Sequence, residues 1–224
     1  MAAEKVEGKR AAKARQTRER MLEAARELFV EQGYGVTTLQ DIANRAGVAV
    51  QTIYFTFTNK RSLLKELVDI TVAGDHEPVA TMDRPWFREA LATPSAEEHL
   101  RAHVHGTRLI LARVAPLTSM VHAAMTTDPA VASMWPHEDP RHVVQTAAAR
   151  SLLSKPGARP DVPEGHAADV LYGILSTDLY LLFVRRRGWS PEQWEQWAFD
   201  TLRPQLCAAT TDDPSAPQPP ASTA

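Results

Sequence analysis

Three consecutive side chains, Val50, Gln51 and Thr52, offer the most legible chemistry in this chain of 224 residues. A glutamine amide presents a donor and an acceptor side by side, the pairing that an adenine edge accepts in a DNA major groove. The methyl groups of valine and threonine suit a thymine methyl. A second candidate is His99 with His103, four residues apart on an expected helix beside Glu97 and Glu98, a spacing at which two imidazoles can share a metal ion. The sequence places no third ligand, and His137-Glu138-Asp139-Pro140 lacks zincin spacing and holds a helix-breaking proline. There is no Gly-rich phosphate loop and no nucleophile elbow, so neither catalysis nor a cofactor or metal is expected. A helical metalloenzyme is kept only as a distant alternative.

The elements that must position Val50 to Thr52 are written around them. Thr38 stands three residues before Asp41, the spacing of a capping box, so a helix should begin there. Leu39, Ile42, Ala43 and Ala46 share one face of it, and Gly47 follows where positive φ ends a helix. Val50 to Phe55 then form a second short helix with Ile53 inward and Val50, Gln51, Thr52 and Tyr54 outward. Two short helices joined by a tight, Gly-containing turn are a helix-turn-helix, whose second helix presents its first residues to base edges. Upstream, Met21, Leu22, Ala25, Leu28 and Phe29 form the apolar stripe of a supporting helix closed by Gly33. Downstream, Asn59 caps a fourth helix from Lys60 to about Ala73.

The order T-x-x-D-I-A-x-x-A-G-V followed by T-I-Y-F-x-F-x-N-K-R-x-L-L resembles the DNA-binding domain of the TetR family of bacterial repressors, over roughly residues 15 to 70. The stretch L-Y-x-x-L-x-x-D-L-Y-x-L-x-V-R-R-R-G-W-S-P-E, between Ala168 and Leu206, is similar to the carboxy-terminal end of many actinobacterial members. The resemblance implies a homodimer that binds a double-stranded DNA operator and a larger helical domain that binds a small-molecule effector weakening that contact. It also implies that Thr38, Gln40, Tyr54 and Lys60 touch the phosphate backbone. Ala49 departs from the family pattern, because alanine cannot cap the second helix where a serine or similar residue is usual. Gln51 departs as well, standing where a small residue is common.

Composition agrees with a DNA partner only when it is divided. The whole chain holds 25 Lys and Arg against 27 Asp and Glu, whereas residues 1–73 hold 12 against 9, which puts the positive balance with the helix-turn-helix. Cys207 is the only cysteine, so no disulfide framework or Cys-based metal site can form within the chain, and a cytoplasmic setting is favoured. No apolar run reaches signal-peptide or bilayer-spanning length, so no membrane is expected.

An all-α fold is expected, with residues 1–14 a flexible basic arm, 15–73 the DNA-binding domain and connecting helix, 74–207 an effector-binding and dimerisation domain, and 208–224 a disordered tail. In the second domain, helices are expected around Pro85 to Ala92, from Ala96 to Val114 with Pro116 as an end or kink, and from His142 to Leu153. Two more follow, Glu164 to Arg187 and, behind the capping box Ser190-x-x-Gln193, Pro191 to Leu206. These last two carry more apolar surface than one domain can cover, so Leu171, Leu182, Trp194, Trp197 and Thr201 are expected at a dimer interface. Trp86, His103, Met120, Met125, Tyr172, Leu175 and Asp178 are candidates for an effector pocket, with Phe87, Met134, Trp135 and Phe183 as further apolar lining. A ligand-independent architectural regulator on the same DNA-binding unit is the alternative.

Overall fold

The computed structural model describes residues 2–77, 79–134 and 139–209, without the side chains of residues 2–7 and 9. Eleven α-helices carry those residues: α1 (Ala2–Gln32), α2 (Leu39–Ala46), α3 (Val50–Phe57), α4 (Lys60–Ala73), α5 (Pro85–Ala92), α6 (Ala96–Thr127), α7 (Pro129–Ala132), α8 (Pro140–Leu153), α9 (Glu164–Ile174), α10 (Thr177–Tyr180) and α11 (Pro191–Leu206). The chain divides into two compact units, Met1–Pro78 with Ile110–His137, and Val79–Leu109 with Glu138–Ala224.

In the first unit, α1 begins at Ala2, where the sequence pattern suggests an arm without regular structure. Alanine, lysine, arginine and glutamate are all strong helix formers, so this stretch propagates the helix without needing an apolar stripe. From Met21 the stripe appears as expected, and Met21, Leu22, Ala25, Leu28 and Phe29 are all buried. Arg18 forms a two-pronged ion pair with Glu66 of α4 and lies over the Phe57 ring, 4.7 Å from its centroid. Arg45 of α2 reaches Glu27 and Glu31 of α1 at 2.8 and 3.1 Å. These pairs fix where α2, α3 and α4 sit on α1. One apolar core then joins Ile42, Ile53, Leu63 and Leu64 to Leu117, Met120, Ala124 and Val131 of α6 and α7.

In the second unit the core is built from α5, the first half of α6, and α8, α9 and α11, around Phe87, Leu100, Val104, Leu152, Leu171, Trp194 and Leu202. The helix expected from Glu164 to Arg187 is not continuous. α9 stops at Ile174, and the Ser176 hydroxyl accepts from Leu179 N to start α10, which passes into a π-helical turn, Leu181–Arg186. A capping side chain inside an apolar stretch has broken the helix. Pro116, by contrast, lies within the unbroken α6. An isolated bridge pairs Ala158 with Cys207.

Two stretches, Ala96–Thr127 and Glu164–Arg186, have the length and hydropathy of a bilayer-crossing helix, contrary to expectation. Counting contiguous apolar runs misses them because scattered polar residues interrupt the run while the mean hydropathy stays high. Helices covered on several sides by protein share these properties.

Candidate nucleic-acid interface

The two short helices are held by local hydrogen bonds that the sequence specifies. The Thr38 hydroxyl accepts from Asp41 N at 3.1 Å, while Asp41 Oδ2 accepts from Thr38 N at 2.9 Å and from the hydroxyl at 2.6 Å. These bonds hold the Asp41 carboxyl below its ordinary pKa, since they favour the charged form. Gly47, at φ 66°, turns the chain and donates to the Ala43 and Asn44 carbonyls. α3 starts at Ala49 without a side-chain cap, as the alanine dictates. Its far end is a tight γ-turn in which Asn59 N donates to Phe57 O at 2.6 Å across Thr58, which is held at φ 65°. Asn59 then caps α4 by accepting from Ser62 N at 2.9 Å.

Thr38, Gln40, Val50, Tyr54 and Lys60, picked out separately in the sequence, line one open cleft of about 420 Å³ together with Gly35, Thr37 and Leu39. Lys60 has a duty there that spacing could not reveal. Its ammonium donates to the carbonyls of Tyr34, Thr37 and Gly35 at 2.8, 2.9 and 3.4 Å and stands over the Tyr34 ring, 4.2 Å from the centroid. Partial burial holds its pKa below the ordinary value, partly offset by Asp128. Lys60 thus clamps the turn before α2 while bringing positive charge to the floor of the cleft.

The outward face of α3 follows from what the helix buries. Ile53 and Phe57 point into the core, at 0% and 3% exposure. At about 3.6 residues per turn, the opposite pole belongs to Gln51 and Phe55, with Val50 and Tyr54 on the cleft side and Thr52 on the other. Gln51 is exposed, Tyr54 is 55% exposed and Phe55 is 94% exposed. Phe55 is absent from the candidates drawn from the sequence, although its place opposite Ile53 and Phe57 was available as a signal.

Residues 21–67 match the family model for bacterial regulatory proteins of the tetR family. Over that stretch the chain has the DNA-binding region of the TetR family. Among curated proteins, the uncharacterized HTH-type transcriptional regulator TtgW of Pseudomonas putida is 36% identical over 81 residues, which cover 35% of this chain and 60% of that protein. The match therefore spans less than two thirds of that relative. Of solved structures, a putative transcriptional regulator from Saccharomonospora viridis in complex with choline superposes with a TM-score of 0.66 at 20% identity, covering 87% of this chain and 99% of the other. The FadR regulator from Bacillus subtilis in complex with stearoyl-CoA gives 0.61 at 16% identity, covering 82% and 96%. At these identities the two structures speak for the fold alone, an all-helical one.

The seven candidate effector residues do not form one cluster. Met120 and Met125 pack into the core shared with the helix-turn-helix. Tyr172 donates its hydroxyl to Asp139 at 2.5 Å beneath the Arg141 guanidinium, Leu175 is buried and Asp178 is exposed. Trp86 and His103 do meet, with ring centroids 5.9 Å apart, and the indole lies against Gly106 so closely that a Cβ there would fall 2.1 Å from it. His103 Nε2 is 2.7 Å from Gln145 Oε1, while His103 Nδ1 and His99 Nε2 are buried without a hydrogen-bond partner. Desolvation pushes the His103 pKa down to about 4. Phe87 completes this aromatic and imidazole cluster. Trp135, His137 and Glu138 lie outside the described residues, as does the tail from 210 onward.

Leu171 and Trp194 are not surface residues. Both are 0% exposed within the single chain, where Trp194 packs edge-on against Tyr180. Leu182 is 39% exposed and Trp197 and Thr201 partly so, and Trp197 lies tilted against Phe183 and edge-on to Trp189, which stack on each other.

Proposed function

We propose that this TetR-family chain is a cytoplasmic, DNA-binding transcriptional regulator that works as a homodimer on a near-palindromic operator and represses by occupying it. The observation that carries the reading is the helix-turn-helix itself: α2 is capped by Thr38, and α3 leaves Gln51 and Tyr54 exposed, with Val50 and Thr52 half-buried, beside a cleft containing Thr38, Gln40 and Lys60. In this reading Gln51 pairs with a base edge, Val50 and Thr52 lie against base methyl groups, and Thr38, Gln40, Tyr54 and Lys60 hold phosphates.

Leu182, Trp197 and Thr201 form the surface on which a second copy pairs, giving two reading helices related by a two-fold axis. A small, mostly apolar effector binds in the second unit around Trp86 and His103, where buried imidazole nitrogens without partners provide a polar point in apolar surroundings. The choline and stearoyl-CoA held by the two structural neighbours agree with ligand binding on this fold. By linkage, whatever factor the effector takes from operator affinity, the operator takes from effector affinity.

Fluorescence anisotropy of a labelled duplex, titrated at several salt concentrations, tests the DNA reading. Tyr54→Phe and Gln40→Ala should weaken binding to all sequences alike, whereas Gln51→Ala should alter which sequence is preferred. Binding that does not depend on salt, or that all three substitutions leave unchanged, would remove the basis for this function.

A further inference from the structure

A phenylalanine with 94% of its surface exposed sits at the outward pole of α3, one helical turn beyond Gln51. Its ring makes no contribution to the core, which α3 meets through Ile53 and Phe57, with Val50 packed at its edge. Exposed apolar side chains are common and need no explanation when scattered. Phe55 differs in its company: the pole that it shares with Gln51 is the face that a reading helix turns to the bases. A phenyl ring cannot bond to phosphate, and the apolar group that the major-groove edges of base pairs display is the thymine 5-methyl.

Resting on the DNA-binding reading above, we propose that Phe55 is a specificity-determining residue, its ring covering the 5-methyl group of one thymine in each half-site. Gln51 and Phe55 are about 6 Å apart along the helix, at about 1.5 Å of rise per residue. That rise corresponds to about two base steps of 3.4 Å, so the thymine lies one or two base pairs from the base that Gln51 reads. Tyr54, on the cleft side of the same turn, is left to the phosphates. The phenyl ring thereby turns a position that could have served backbone contact into one that selects a base.

The test uses a duplex enriched by the full-length protein from a random pool, with each half-site thymine replaced in turn by deoxyuridine, which removes only the methyl. At one thymine per half-site the wild-type protein should lose about 4-fold in affinity, the transfer free energy of one buried methyl. Phe55→Ala should bind the unmodified duplex more weakly by a similar factor and be indifferent to uracil at that position, while Phe55→Leu should keep part of the preference. Because the ring is outside the core, both variants should unfold at the wild-type urea midpoint. A uracil effect of the same size in Phe55→Ala, or no uracil effect at any thymine in the wild-type protein, overturns the proposal, and would assign the ring to a sugar or to a protein partner. A pool from which no sequence is enriched overturns the DNA-binding reading itself.

Discussion

Lowering the pH from 7 to 5 should destabilise the protein through one buried imidazole. His103 is 1% exposed, enclosed by Trp86, Phe87 and the stacked ring of His99, with Gln145 Oε1 as its one hydrogen-bond partner. Desolvation is the main cause of its low pKa, about 4 against an ordinary 6.5, and the Gln145 bond only partly opposes it. His99 is shifted in the same direction, again chiefly by burial. Between those two values the unfolded chain takes up a proton that native His103 refuses. Stability is therefore full above pH 6.5, declines as the pH falls, and stops declining from this source below about 4. For His103 alone, linkage gives a loss of about 2 kcal/mol between pH 7 and pH 5. Urea unfolding of the wild-type protein and His103→Asn across this range should show their stability difference shrinking by about that amount, because the variant has no proton to gain at this site. The His103 ring resonances should stay unchanged from pH 8 to 5. A His103 titration midpoint near 6.5, or a stability difference independent of pH, would refute the claim that this imidazole is held neutral by burial.

Other substitutions separate structural from binding roles. Lys60→Met should cost about 1.5–3 kcal/mol in urea unfolding, as expected for charge-assisted bonds to carbonyls; a lysine serving phosphate alone would leave folding unchanged. Thr58→Gly should stabilise by about 1 kcal/mol, relieving a β-branched residue at φ 65° by more than glycine's added chain entropy costs. A wild-type chain that is at least as stable as Thr58→Gly would mean that the turn is not strained. Leu182→Asp should shift sedimentation from dimer to monomer at micromolar concentration while leaving the helical circular dichroism intact, and a wild-type protein that already sediments as a monomer contradicts the proposed pairing.

Much of the amino-terminal unit was legible because its signals are local. Thr38 with Asp41, Gly47, and Asn59 before Lys60 each fix a helix end within a few residues, and the helices begin and stop there. Ser190 with Gln193 does the same for α11. What was not legible depends on partners distant in sequence. The carbonyls that receive the Lys60 ammonium lie 23 to 26 residues upstream. Leu171 and Trp194 look like interface residues when apolar surface is summed along a helix, yet they face their own chain's core. Met120 and Met125 follow the second domain in chain order but pack with the helix-turn-helix core. The break at Ser176 was available as a local cap, but the apolar residues on both sides of it favour a continuous helix. Phe55 was legible too: with Ile53 inward, the helical period alone puts it on the outward pole with Gln51, but an aromatic side chain reads more readily as core than as surface.

The claim on which the account rests, that α3 reads DNA from a symmetric dimer, is tested most directly by selection of duplexes from a random pool with the full-length protein, followed by sequencing. The expected product is a near-palindrome with half-sites about one helical turn apart, roughly 34 to 36 Å between centres, whose consensus changes when the selection is repeated with Gln51→Ala. A pool with no enriched sequence, or an identical consensus from the Gln51→Ala protein, would contradict it.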